Sequence, residues 1–278
     1  MSIRSGKHGV VNGQSTIRNW TIVDEMTPQK FVASNTAKGA ARRNGINSWN
    51  GTFQGYGHSP VVLPGDIFAF IGYTAPNDDV SGAGERASGN AIVDSLNINW
   101  NWQNGEIINH TINFSGHLGL TWASGAAVTD ATDPTVPEVC GTKIEYSTDG
   151  MAWAEMTDLL SASLTLTSEN LAYVNSSTGC NTGRKKGNLD WTLAIVQQDV
   201  IRGAYAFDKG DDLQLRLWID DTDYWELVWG KVRNFTNITV DIETGAIIQR
   251  TVNMEMNGHV GGNLGSITLP GAMSAWWG

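Results

Sequence analysis

Polar and apolar residues alternate along much of this chain, most clearly through positions 95–116. Ile98, Trp100 and Trp102 alternate with Asn97, Asn99, Asn101 and Gln103, the period of two expected of a strand with one buried face. Asn104-Gly105 follows, the dipeptide best suited to a two-residue type I′ hairpin turn. The predicted return strand sets Ile108, Ile112 and Phe114 on one side and Asn109, Thr111, Asn113 and Ser115 on the other. A later stretch repeats the design. Ile238, Val240 and Ile242 alternate with Asn237, Thr239, Asp241 and Glu243, and Thr244-Gly245 turns the chain. Ile248, Val252, Met254 and Met256 then oppose Gln249, Thr251, Asn253 and Glu255. Each predicted hairpin has an apolar face and a long polar face almost free of Lys and Arg. His110 and Arg250 interrupt the apolar sides.

The same period recurs at 163–167, 191–195 and 213–218, and Asp149-Gly150 marks a further hairpin. No helical periodicity runs beyond about three turns. Segments 83–93 and 221–229 are the two places where a short helix is expected.

Self-similarity organises the whole chain. At an offset of 142, Thr36, Arg42, Gly45 and Trp49 coincide with Thr178, Arg184, Gly187 and Trp191, and Arg43 with Lys185. Phe31-Val32 answers Tyr173-Val174 at the same offset. Pro64-Gly65-Asp66 answers Lys209-Gly210-Asp211, and 105–113 answers 245–253 before a shared Gly-His at Gly116-His117 and Gly258-His259. Four matched blocks in one order imply a duplicated unit. The expected layout is a first β-domain at 1–122, a linker at 123–140 rich in Ala, Ser, Thr, Asp and Pro, a second β-domain at 141–270 and a tail at 271–278. The tail carries Trp276 and Trp277, adjacent apolar rings that need a docking surface on the same chain or on a neighbour.

Composition agrees with a strand-rich chain. Among 278 residues there are 32 Gly and 12 Trp, and only 17% are charged. Net charge is −10, which disfavours gripping nucleic acid, because phosphate affinity comes from cationic contacts. The imbalance is unequal: residues up to 135 carry 8 Lys and Arg against 10 Asp and Glu, the remainder 10 against 18. Cys140 and Cys180 have no metal-like spacing and read as free thiols, with a structural disulfide as the other reading. No apolar signal region follows Met1, and the most apolar stretch, 61–73, is broken by Pro64 and Asp66, so neither export nor membrane insertion is expected.

The chain shows no nucleotide-binding glycine motif, no nucleophile motif and no calcium loop. His117 and His259 occupy equivalent places without recurring Cys or acidic ligands and read as turn residues. Asp211-Asp212 and the acidic run at 220–223 read as loop caps. Arg42-Arg43 and Arg184-Lys185-Lys186 form matching basic loops, expected to meet acidic surface on an adjacent subunit. No catalytic, metal or cofactor site is expected.

The order of features in each copy resembles the major tail tube proteins of long-tailed bacteriophages. It comprises a first strand pair, a Gly-rich basic loop leading to a Trp strand (45–49; 187–191), a Gly-Asp turn before an apolar strand, and a closing hairpin ending at Gly116 or Gly258. The resemblance implies tandem β-sandwich domains, each with a long hairpin and a small helix. It implies rings whose hairpins close an inner barrel, stacked in a virion tail that conducts double-stranded DNA. Two domains per chain imply a trimeric, pseudo-sixfold ring assembled in the host cytoplasm, with tape measure and terminal ring proteins as further partners. Asn97, Asn99, Asn101, Asn109, Thr111 and Asn113, with Asn237, Thr239, Asp241, Glu243, Thr251, Asn253 and Glu255, then line the lumen. Trp276, Trp277 and the basic loops then serve subunit contacts. A tail hub or distal tail ring, a tandem carbohydrate-binding or adhesin module and a β-rich hydrolase are the other readings.

Overall fold

The computed structural model describes residues 2–6, 17–32, 40–57, 62–73, 85–124, 139, 141–198, 207–221, 223–239, 249–257 and 267–268. Regular structure among them is entirely strand. The first half supplies β1 (Ser2–Gly6), β2 (Ile17–Phe31), β3 (Ala41–Tyr56), β4 (Ile67–Tyr73), β5 (Glu85–Asn101) and β6 (Asn109–Ser124). The second supplies β7 (Ile144–Ser147), β8 (Ala154–Glu155), β9 (Leu159–Ser168), β10 (Leu171–Tyr173), β11 (Gly183–Lys185), β12 (Leu189–Gln198), β13 (Asp212–Trp218), β14 (Tyr224–Thr239), β15 (Gln249–Met256) and β16 (Ile267–Thr268). Period-two burial is plain in β9, β12 and β13, where every second side chain is covered.

Strand order repeats between the halves. The first runs β2-β3-β6-β5-β4 and the second β9-β12-β15-β14-β13, antiparallel throughout. Trp49 in β3 and Trp191 in β12, matched in sequence at offset 142, hold the same place in that order. Both long strands also break register at the same point. In β5 the shift between Val93 and Ser95 leaves Asp94 extra, and in β14 the shift between Val232 and Asn234 leaves Arg233 extra. A bulge of this kind lets a strand bend from one sheet layer into another.

That bend splits the outer edge of β5. Its first stretch, Arg86 to Ile92, pairs with β4, and its second, Ser95 to Asn101, pairs with β9 of the other half. The halves are thereby joined edge to edge into one 14-stranded sheet. Leu96, Ile98 and Trp100 meet Leu166, Leu164 and Ala162 at this seam, all buried. Trp100 Nε1 donates to the Trp218 carbonyl at 3.2 Å, and Trp102 Nε1 donates to Thr142 at 3.1 and 3.0 Å. The tip of the first-half hairpin is therefore anchored in the second half.

The first-half core is aromatic: Phe70 and Phe114 lie 5.1 Å apart between Trp20, Trp49 and Phe53. The second-half core is largely aliphatic, from Leu213, Leu215, Leu217, Leu227 and Val252, around Trp191 and Trp225. The two polar residues on apolar sides are accommodated. His110 is buried with Nδ1 3.2 Å from the Gly57 carbonyl, and the Arg250 guanidinium lies 3.9 Å over the Phe235 ring, a cation–π contact that covers its flat face.

Three expectations need correction. The segments expected as short helices are strand: 85–93 opens β5 and 224–229 opens β14. Pairing with β4 and β13 supplies partners that local propensity does not foresee. The turn after β5 is not a type I′ turn. Gly105 has φ of +60° but Asn104 does not have positive φ, and the loop spans 102–105 with Gly105 N–H donating to the Trp102 carbonyl at 3.2 Å. Trp102 leaves the ladder to reach Thr142, which widens the loop. The linker does not begin at 123, since Ala123 and Ser124 pair with Arg86 and Glu85. The hairpin about Asp149-Gly150 forms as expected, with β7 against β8. Among the described residues no helix is long and apolar enough to cross a membrane.

Candidate functional site

The polar sides of the hairpins are not separate patches. Because β5 pairs with β9, they merge into one broad face across β3, β6, β5, β9, β12, β15 and β14. Asn97, Asn99, Asn101, Asn109 and Thr111 are half-exposed on it and Asn113 is exposed, as are their neighbours Thr52, Gln54, Ser163 and Thr165 to similar degrees. None is deep in the fold.

Hydrogen bonds link these side chains across strands. Asn99 Nδ2 donates to Asn97 Oδ1 at 2.6 Å and lies 3.3 Å from Asn109 Oδ1. Asn97 Nδ2 crosses the seam to Thr165 Oγ1 at 2.8 Å and Ser163 Oγ at 3.2 Å. Asn113 Nδ2 donates to Ser95 Oγ at 2.8 Å, and its Oδ1 accepts from Thr52 Oγ1. Asn19 donates to Gln54 at 2.9 Å, and on the far side Asn253 donates to Asn234 at 2.9 Å. Neutral amides and hydroxyls holding one another in this way leave few spare groups to seize a ligand.

Charge is sparse here. Over outward positions 50–56, 95–101, 109–115, 161–167, 192–198 and 249–255, Glu255 is the one charged side chain among the described residues. It pairs with Arg233 at 3.0 Å. Arg233 escapes sequence reading because the bulge takes it out of the period-two pattern. The polar sides of β9 and β12, namely Ser161, Ser163, Thr165, Thr167 and Thr192, were also not assigned to the face, although the alternation at 163–167 carried the signal.

Of the remaining candidates, Thr251 and Asn253 share this face. Asn237 and Thr239 belong to β14, with Thr239 opposite Gln249. Asp241, Glu243, Trp276 and Trp277 lie outside the described residues.

The basic loops sit elsewhere. Arg42 and Arg43 are exposed on β3, opposite Lys30 and Gln29, with Arg43 5.3 Å from the Phe31 ring centre. Their counterparts contact the first half of the same chain. Lys186 Nζ pairs with Asp66 at 3.0 Å, and the Arg184 N–H donates to His117 Nδ1 at 2.9 Å, which gives His117 a turn-binding role. Lys185 lies 5.6 Å from the Tyr173 ring centre. Around them, the Asn47 N–H donates to the Cys180 carbonyl at 2.7 Å, the Leu118 N–H to the Thr182 carbonyl at 2.8 Å, and Asn170 Nδ2 to Asp94 at 2.9 Å. Cys180 is a free, exposed thiol, and Cys140 lies outside the described residues.

This arm, β10 and β11, clasps the first half. Its first-half counterpart, the ends of β2 and β3, touches the second half at Asn47, which bridges Asn181. It leaves Met26, Phe31, Val32 and Ile46 exposed, Val32 by 74%.

At the outer edge of the second half, burial alone pushes the Glu145 carboxyl up. Hydrogen bonds from Lys143 and Trp218, with the charges of Lys143 and Arg216, outweigh it and hold the group below the usual range. Asp149 is also held low, first by the Ala152 N–H, then by Met151 N–H and the Ser147 hydroxyl.

Fold and face together define a chain that is all-β among the described residues, with a repeated strand order and a neutral polar surface spanning both halves. No family model matches the chain, and no curated protein sequence matches it.

Proposed function

We propose that this chain is a structural ring subunit of the bacteriophage tail tube type, three copies closing a pseudo-sixfold ring around a bore. The observation that carries the reading is the β5–β9 seam. It joins two units of like strand order side by side, using one edge of the first and the opposite edge of the second. The two remaining edges are complementary in the same sense, that of β2 carrying β1 along 20–24 in the lone chain. Residues 234–239 of β14 stand where 95–101 of β5 stand, with no strand beyond them among the described residues. Residues 19–25 of β2 stand where 161–167 of β9 stand. Repeating the seam between chains is a head-to-tail contact, which closes into a ring when its rotation divides a full turn. Closure also removes exposed strand edges.

The polar face would line the bore. Its cross-linked amides and hydroxyls, with Arg233 neutralised by Glu255 and Arg18 at the β2 margin laid over the Tyr56 ring, offer double-stranded DNA little cationic grip, so the polyanion would pass without sticking. The exposed apolar arm of the first half would clasp the second half of the next chain, as β10 and β11 do within one chain. Arg42 and Arg43 would approach Asp211, the counterpart of Asp66. Stacked rings in a virion tail would meet tape measure and terminal ring proteins, and no catalysis is required. No observation favours the sugar-binding reading, since every described tryptophan is buried or half-buried.

Light scattering and negative-stain imaging of the purified protein test this. Rings with three times the 30.1 kDa chain mass are expected. Dispersed single chains at every concentration would overturn the proposal.

A further inference from the structure

Strand β1 occupies the edge that the proposed ring needs. It pairs antiparallel with β2 from Ser2↔Asp24 to Gly6↔Trp20. By the 142 offset, the seam strand 161–167 corresponds to 19–25, so β1 covers the same stretch of edge that β9 presents to β5.

The counterpart strand in the second half takes a different seat. β7 precedes β9 as β1 precedes β2, and the connecting segments, 148–158 and 7–16, match in length to within one residue. Yet β7 pairs with β13, from Gln214↔Ser147 to Leu217↔Ile144, and leaves β9 free to meet β5. The first-half counterpart of β13 is β4, whose outer edge carries no strand among the described residues. A connection of ten extended residues reaches up to about 35 Å, enough to move one strand between edges of a small sheet.

We infer that β1 is a displaceable stand-in for the β14 strand of a second copy of this chain. In the lone subunit it caps the β2 edge. On assembly β14 of the neighbour replaces it along 19–25, and β1 moves to the outer edge of β4, as β7 sits on β13. This rests on the ring reading given above. The exchange is favoured by pairing. Five residue pairs of β1 with β2 are given up, while the seam between halves contains seven and the β7–β13 ladder four. A capped edge also keeps unassembled chains from adding strands indiscriminately.

The test locks β1 in place. In a Cys140→Ser, Cys180→Ser background, Ser5→Cys with Thr21→Cys places two thiols at directly opposed positions of the ladder. Ile3→Cys with Val23→Cys is a second such pair, should the first disturb folding. The full-length protein is compared oxidised and reduced, by light scattering and negative stain. The oxidised form is expected to remain a single chain, with assembly returning on reduction. Equal assembly of both forms overturns the inference and leaves the ring reading standing. Unmutated protein that stays a single chain at all concentrations overturns both.

Discussion

Asn97 in β5 donates its side-chain amide to Thr165 Oγ1 in β9 at 2.8 Å, joining residues from opposite halves of the chain. The same amide reaches Ser163, and Asn97 Oδ1 accepts from Asn99. One side chain thus ties the seam to the hairpin's own polar row.

Asn97→Ala removes two seam hydrogen bonds at a half-exposed site, for an expected loss of about 1–2 kcal/mol in urea unfolding. Amide exchange should rise in 161–167 more than in 109–113. Equal rises in both segments would show that Asn97 has no special place at the seam.

Lys186 and Asp66 join the halves by charge, but both side chains are largely in water, 54% and 42% exposed. A double-mutant cycle with Lys186→Ala and Asp66→Ala should give a coupling of about 0–1 kcal/mol. It should shrink in 1 M salt, where the screening length falls to about 3 Å. A coupling that survives high salt would mean the pair acts through packing.

Glycine opposes tryptophan in both halves: a Cβ on Gly116 would enter the Trp49 ring, and one on Gly230 the Trp191 ring. Each ring is buried and fixed, so it cannot swing aside. Gly116→Ala and Gly230→Ala should each destabilise by about 1–3 kcal/mol, read as a lower denaturation midpoint with reduced near-ultraviolet tryptophan signal. Unchanged midpoints would require the rings to relocate.

Acid should loosen the β7 edge. The Glu145 carboxyl is held low in the folded chain, so its contribution is complete above its unfolded pKa of about 4.3 and fades as pH falls through the lower folded value. Asp149 acts in the same direction from about 3.9. Protection of the 144–147 amides, taken relative to their intrinsic exchange rate at each pH, should fall below that range, and Glu145→Gln should weaken the dependence. An edge as protected at pH 2.5 as at pH 6 would contradict this.

The β character, the two hairpins and the repeat were legible because each depends on local spacing. Alternation at 97–101 needs only the pleat of a strand, and offset-matched Trp49 and Trp191 need only comparison. The polar face was half legible: Asn97, Asn99, Asn109 and Asn113 were assigned to it, whereas Ser163, Thr165 and Arg233 were not. Period two tells which residues share a side of one strand but not which strands share a sheet.

What lay beyond the sequence was long-range pairing. The segments expected as helices became strand because β4 and β13 lie beside them. The basic run at 184–186 met Asp66 of its own chain because β5 and β9 pair. Local pattern sets the conformation of each strand, since backbone and pleat act over a few residues. Which edge meets which is decided only when the whole chain competes for the same hydrogen bonds, and here that competition joined the halves at Asn97 and Thr165 and set β1 upon β2.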